Sequence, residues 1–181
     1  MRTETRRDRY DAKLKNAKKY PISLCAINFR ADDNLGYLVR SAACFGAERL
    51  YVIGHVPERS VLKAPSGSLV DYVEVVQFAT PSEFITHAQV EGIQIVAAEL
   101  VEEARSLFDY NFCFDRPVSL VVGNENCGVP VEILKNAEIV YIEMPGVGFC
   151  LNTSQVANIL LYEAVKQFEK FKTLQAYPYA I

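Results

Sequence analysis

The sequence predicts an α/β fold, a parallel sheet sandwiched between helices (α/β/α), on three observations. Strand-like apolar runs alternate with helical patterns along most of the chain. The runs are nearly continuous in Val, Ile, Leu and Ala, as strands covered on both faces are. Glycine-bearing polar turns follow the first, fifth and sixth runs, and open α/β sheets bind ligands at the carboxyl ends of their strands.

Residues 1–20 come first, and no helix or strand is assigned to them. They hold eight Lys or Arg against three acids, a charge of +5, which leaves −8 on the rest of a chain whose total is −3. A basic arm on an acidic body is compatible with a nucleic-acid contact, and equally with a merely solvated terminus. Residues 21–181 read as a single domain, with no composition break and no internal repeat. The strand-like runs are 23–29, 49–54, 72–78, 93–100, 118–123 and 138–144. Between the first two, a helix is expected over 34–45 with Asp33 or Asn34 as its cap. Thr80-Pro81-Ser82-Glu83 is a capping box with proline at the first helical position, and it opens a helix toward Gln89. A short helix is expected over 129–136. The last helix runs from about Thr153 past Phe171, with Asn152, Thr153 and Ser154 as cap residues and an apolar stripe of Val156, Ile159, Leu160 and Val165. The tail beyond Thr173, which includes Pro178, is expected to dock on the body or on a partner.

Half of the residues are hydrophobic and the charge content is ordinary, as in globular proteins. No apolar run is long enough to span a bilayer, and the opening MRTETRRDRY is no signal peptide, so the expectation is a cytoplasmic protein with no membrane contact. Cys25, Cys44, Cys113, Cys127 and Cys150 are odd in number and form no CxxC pair. Neither a disulfide framework nor a metal site is therefore expected, and most of these thiols read as small buried side chains.

Several familiar chemistries fail on spacing. GNENCGVP has the two glycines of a phosphate-cradling loop, Gly123 and Gly128, but lacks the Lys-Ser/Thr that follows them. GVGFCL has Leu151 where a dinucleotide fingerprint needs its third glycine. Cys150 as a nucleophile needs a base within reach, and the chain's only histidines, His55 and His87, are remote in sequence.

Three motifs in order resemble a known family. The first is Asn34-Leu35-Gly36-Tyr37-Leu38-Val39-Arg40-Ser41-Ala42. The second is a hydrophobic strand followed by Gly123-Asn124-Glu125-Asn126-Cys127-Gly128. The third runs Ile142-Glu143-Met144-Pro145-Gly146-Val147-Gly148-Phe149-Cys150-Leu151-Asn152-Thr153-Ser154, with Tyr162-Glu163 on the following helix. Together they resemble the SPOUT class of methyltransferases, in the TrmH (SpoU) branch that methylates ribose 2′-hydroxyls of RNA. The resemblance covers roughly Ile22 to Phe168. Glu143 departs from it, standing where proline is usual, and so does Cys150, where serine is usual.

The resemblance implies a C-terminal deep trefoil knot and an S-adenosylmethionine pocket within it. By position, Ala98, Gly123, Ile142 and Leu151 would line that pocket, with Cys150 beside them. Arg40 would help activate the ribose hydroxyl. Asn34 would orient Arg40 or the substrate, Glu125 would accept from Arg40 or the ribose, and Asn152 would complete the site by hydrogen bonding. A homodimer is implied, with Ile159, Tyr162, Val165 and Phe168 of the last helix at its interface. The RNA would be tRNA or rRNA. The alternative is a catalytically weakened RNA-binding module of the same fold.

Overall fold

The computed structural model describes residues 5–176. Its centre is a seven-stranded sheet in which every pairing is parallel. The strands are β1 (Ile22–Ile27), β2 (Arg49–Ile53), β3 (Glu74–Phe78), β4 (Gln94–Ala98), β5 (Arg105–Ser106), β6 (Val118–Val122) and β7 (Glu138–Tyr141). Their spatial order is β3-β2-β1-β6-β4-β7-β5. The six expected runs are all present, and β5 is an addition. It has two residues and no apolar run to announce it; its Arg105 pairs with Glu138 of the neighbouring β7.

Along β1 the side chains alternate between two cores. Ile22, Leu24 and Ala26 enter one, which is closed by α2 (Asp32–Phe45) and α6 (Thr153–Ala176). Cys25 and Ile27 enter the other, which is closed by α4 (Pro81–Val90) and α5 (Val131–Leu134). This two-sided burial is the reason the strands read as continuous apolar runs. The fold is therefore a parallel α/β sheet between two helical layers.

Several local expectations change. Helix α2 begins at Asp32 behind Ala31, and Ala31 makes no side-chain cap, so Asp33 and Asn34 lie inside the first turn. Asn34 is drawn away from capping because its amide is engaged elsewhere. At α4 the Thr80 hydroxyl accepts from the Glu83 N–H at 3.2 Å, whereas Glu83 accepts from the Ala79 N–H at 2.8 Å. Only Cys25 of the five cysteines is buried; the other four are exposed, since they lie in turns or on outward helix faces. Phe168 of α6 is buried edge-on against Tyr20 and Phe114 of its own chain, so it is not on an outer face, whereas Ile159 and Tyr162 are exposed.

The basic arm folds as α1 (Arg6–Leu14), started by a capping box in which Thr5 and Asp8 exchange hydrogen bonds. No residue of α1 is buried. It is tied to the body through tyrosines instead. The Tyr10 hydroxyl donates to the Gly67 carbonyl at 3.1 Å, and the Tyr72 hydroxyl donates to Asp11 at 2.6 Å. The expectation for the tail falls, from residue 177 onward, outside the described residues. No described helix is long and apolar enough to cross a membrane.

Candidate functional site

The site lies at the carboxyl ends of the central strands, where the turns after β1, β6 and β7 meet. Adjacency of β1 and β6 brings residues about ninety positions apart into contact, which is the usual ligand crevice of such sheets.

The turn after β6 is a closed loop. Asn124 and Gly128 exchange backbone hydrogen bonds of 3.1 and 3.0 Å, and the Asn124 side chain accepts from the N–H groups of Asn126 and Cys127. A β-carbon on Gly123 would collide with the Gly128 carbonyl, so glycine is required there for the loop to fold back on itself. The loop projects Glu125 toward the start of α2. Its carboxylate accepts from the Arg30 N–H at 2.9 Å, the Ala31 N–H at 3.3 Å and the Asn34 amide at 2.6 Å. Partial burial pushes the Glu125 carboxyl up, but the hydrogen bonds from Arg30, its own N–H, Asn34 and Ala31 outweigh it and hold the group below its ordinary value. It is therefore a fixed anion and acceptor.

Asn34 is buried and links two loops. While its amide donates to Glu125, its carbonyl oxygen accepts from the Asn152 amide at 3.1 Å. Asn152 in turn caps α6, accepting from the Ser154 N–H at 2.8 Å and the Ser154 hydroxyl at 2.6 Å, and Gln155 accepts from the Asn152 N–H. Thr153 donates to the Gly123 carbonyl at 3.0 Å, which fixes the start of α6 on the β6 loop. Three of the four expected catalytic residues, Asn34, Glu125 and Asn152, thus form one directed chain of hydrogen bonds.

Arg40 stands apart from that chain. It is exposed on α2 and makes no hydrogen bond or ion pair among the described residues. Its neighbour is the turn at 64–68 that follows α3 (Arg59–Lys63), and Gly67 of that turn faces the guanidinium. That turn packs on the α2 face that carries Gly36 and Arg40, and a β-carbon on Gly36 would collide with Pro65. The Tyr10 hydroxyl bonds the Gly67 carbonyl, so the turn that faces Arg40 also anchors α1.

Four of the five expected cofactor residues share one cavity of about 160 Å³. Ala98, Ile142, Cys150 and Leu151 line it, with Val140 and Val156 adding apolar wall. Gly123 is not among its lining residues; it belongs to the loop that closes nearby. Glu99, overlooked in the sequence as the polar end of a strand run, lines the cavity as well. The loop beyond β7 contributes the exposed Phe149 to its lining. The cavity is smaller than the roughly 300–1,000 Å³ of pockets that enclose drug-sized ligands, and it is open to solvent.

Sequence and structure comparisons give a consistent answer. The model of a family described as the SpoU rRNA Methylase family matches residues 21–162. The chain is 24% identical over 153 residues to a tRNA (guanosine(18)-2′-O)-methyltransferase of Escherichia coli (strain K12), covering 83% of this chain and 66% of that protein. It is 32% identical over 147 residues to a 23S rRNA (uridine(2479)-2′-O)-methyltransferase of Streptomyces viridochromogenes, covering 74% of this chain and 48% of that protein. The chain thus spans just under two thirds and about half of those two relatives. Among solved structures it is similar to the TrmH/SpoU tRNA modifying enzyme of A. aeolicus, with a TM-score of 0.76 at 26% identity, covering 90% of this chain and 86% of that one.

Proposed function

The chain belongs to the SpoU rRNA methylase family, and from that premise we propose that it is an S-adenosylmethionine-dependent 2′-O-ribose methyltransferase acting on tRNA or rRNA. The observation that carries the proposal is the meeting of three distant motifs at one end of the sheet: Asn34, Glu125 and Asn152 in one hydrogen-bonded chain, beside a cavity lined by Ala98, Ile142, Cys150 and Leu151.

The residues present fit the cofactor. Aliphatic walls suit an adenine ring, and the open mouth leaves room for the rest of the molecule. When bound, S-adenosylmethionine supplies an electrophilic methyl group. Ala98, Ile142 and Leu151 would hold it, and the family's deep trefoil knot would form the surrounding backbone. The task left to the chain is to position a ribose hydroxyl and favour its loss of a proton.

Arg40 is the group assigned to that task. A guanidinium stays protonated, so it acts as a cation that stabilises the forming alkoxide or grips the adjacent phosphate. With no hydrogen bond or ion pair among the described residues, its donors are available to RNA. The Asn152–Asn34–Glu125 chain acts one step back. It holds the start of α2 rigidly against the β6 and β7 loops.

The arm at residues 1–20 is assigned to RNA as a charged extension of the single catalytic domain at 21–181. Between α1 and the body lies a cleft of about 540 Å³ lined by Lys13, Lys18, Lys19, Tyr10, Tyr20 and Phe45. Cations beside aromatic faces suit phosphates and unstacked bases. The exposed Ile159 and Tyr162 of α6, with Tyr37 of α2, supply an apolar face for a homodimer.

The test is direct. Purified protein is incubated with methyl-labelled cofactor and either total tRNA or rRNA, and the RNA is digested to nucleosides. Label in 2′-O-methylnucleosides supports the proposal, whereas label only on bases, or none, refutes it.

A further inference from the structure

The cavity beside the Asn34–Glu125–Asn152 chain is lined almost entirely by uncharged groups: Ala98, Leu100, Val140, Ile142, Leu151 and Val156 among them. Glu99 is the one charged side chain in that lining. It sits directly after β4, at the carboxyl end of the sheet. Its carboxylate is held in place by the protein backbone. The Val129 N–H donates to one oxygen at 2.7 Å, and the Leu100 N–H donates to the other at 3.1 Å. Each carboxylate oxygen can accept a further hydrogen bond. No Lys, Arg or His forms an ion pair with Glu99 among the described residues.

A half-buried carboxylate in apolar surroundings is costly unless a cation completes it. Two backbone N–H groups offset part of that cost and orient the group, yet leave its charge uncompensated. A ligand for this pocket should therefore bring positive charge. S-adenosylmethionine carries two such centres, a sulfonium and an α-ammonium, against one α-carboxylate, and so brings net positive charge. We propose that Glu99 is the group by which this pocket reads the positive charge of its cofactor. The inference rests on the cofactor assignment above and adds to it a binding residue outside the three motifs. Because the Glu99 carboxylate also holds Val129, directly after Gly128, cation binding acts on the loop that carries Glu125.

The comparison ligand is methylthioadenosine, which keeps the adenine and ribose but has a neutral thioether and no amino-acid portion, and so lacks both positive centres. Calorimetry with wild-type protein and Glu99→Gln measures the affinity of both ligands. The substitution keeps size and one acceptor oxygen and removes the charge. The expected result is that Glu99→Gln binds S-adenosylmethionine about tenfold more weakly or worse, the scale of one charge-assisted hydrogen bond. Affinity for methylthioadenosine should stay unchanged, which also reports that the pocket is folded. Equal losses for both ligands would overturn the inference, because Glu99 would then act on the ribose or only hold the loop. An unchanged affinity for S-adenosylmethionine would overturn it as well. Wild-type protein that binds neither ligand would overturn the cofactor assignment itself, and this inference with it.

Discussion

The side-chain amide of Asn152 donates to the side-chain oxygen of Asn34 at 3.1 Å, joining the cap of α6 to the first turn of α2 across 118 residues of sequence. Asn34 passes the connection on to Glu125 at 2.6 Å. Both asparagines use donor and acceptor at once, and that two-sidedness is why a carboxylate or an aliphatic residue cannot replace either.

Substitution Asn34→Ala should therefore cost both stability and activity. It removes the amide from Glu125 and takes away the acceptor of the Asn152 amide. The expected loss is about 1–3 kcal/mol in a urea titration. Methyl transfer should fall more steeply than stability, because α2 carries Arg40 as well. A variant with wild-type stability would mean that the hydrogen-bond chain is incidental.

Arg40→Ala should behave in the opposite way. Arg40 is exposed and makes no hydrogen bond or ion pair among the described residues, so stability should stay within about 0.5 kcal/mol of wild type. Methyl transfer should fall about a hundredfold or more while affinity for the cofactor is retained. Arg40→Lys should not restore the rate, since a lysine offers a point charge where the fork of a guanidinium is needed.

Glu125 gives a pH dependence of defined sign. Its carboxyl lies below its ordinary value of 4.5, so its contribution to stability is fully present above that value and is lost as pH falls through the lowered one. Urea midpoints of wild type and Glu125→Gln should differ most at about pH 6, and the difference should shrink as pH falls below 4.5. A difference that grows on acidification would contradict the geometry.

The arm predicts a salt-dependent effect. Lys13→Glu combined with Lys15→Glu should weaken RNA binding and reduce the slope of log affinity against log salt by about one unit for each phosphate the arm no longer neutralises. Cofactor affinity should be unaffected. Fluorescence anisotropy with labelled tRNA at several salt concentrations measures the RNA affinity and its slope, and an unchanged slope would remove the arm from the interface.

A glycine tests the turn beside Arg40. Gly36→Ala drives a β-carbon into Pro65 and should destabilise the protein by about 1–3 kcal/mol while displacing the 64–68 turn from α2. Thermal unfolding measures the first effect. A fall in transfer rate beyond that expected from the unfolded fraction measures the second.

What the sequence made legible follows from how locally each feature is encoded. The strands β1, β4 and β6 are buried on both faces, so their residues alone identify them. Asn34, Glu125 and Asn152 were legible because each sits in a motif with its own punctuation. Their partners were harder to foresee. Asn34 carries a good cap side chain at a helix start, yet it serves Glu125 and leaves the N-terminus uncapped, because the tertiary bond competes with the local one. The short β5 depends on pairing with β7, and α1 depends on its own capping box and on two tyrosine contacts, none of which leaves an apolar period. Glu99 ends a run that otherwise reads as plain strand. Only the fold shows that β4 delivers it to the cavity between β7 and the third motif.

The central claim is methylation of RNA ribose by this chain. It is tested most directly by mapping 2′-O-methylation in RNA from cells with and without the protein. At least one tRNA or rRNA position is expected to lose its ribose methyl group in the absence of the protein, to regain it with the wild-type chain and not to regain it with Arg40→Ala. Identical maps in the two cell populations, together with RNA binding by the purified protein, would contradict it and leave a binding module that has kept the fold without the chemistry.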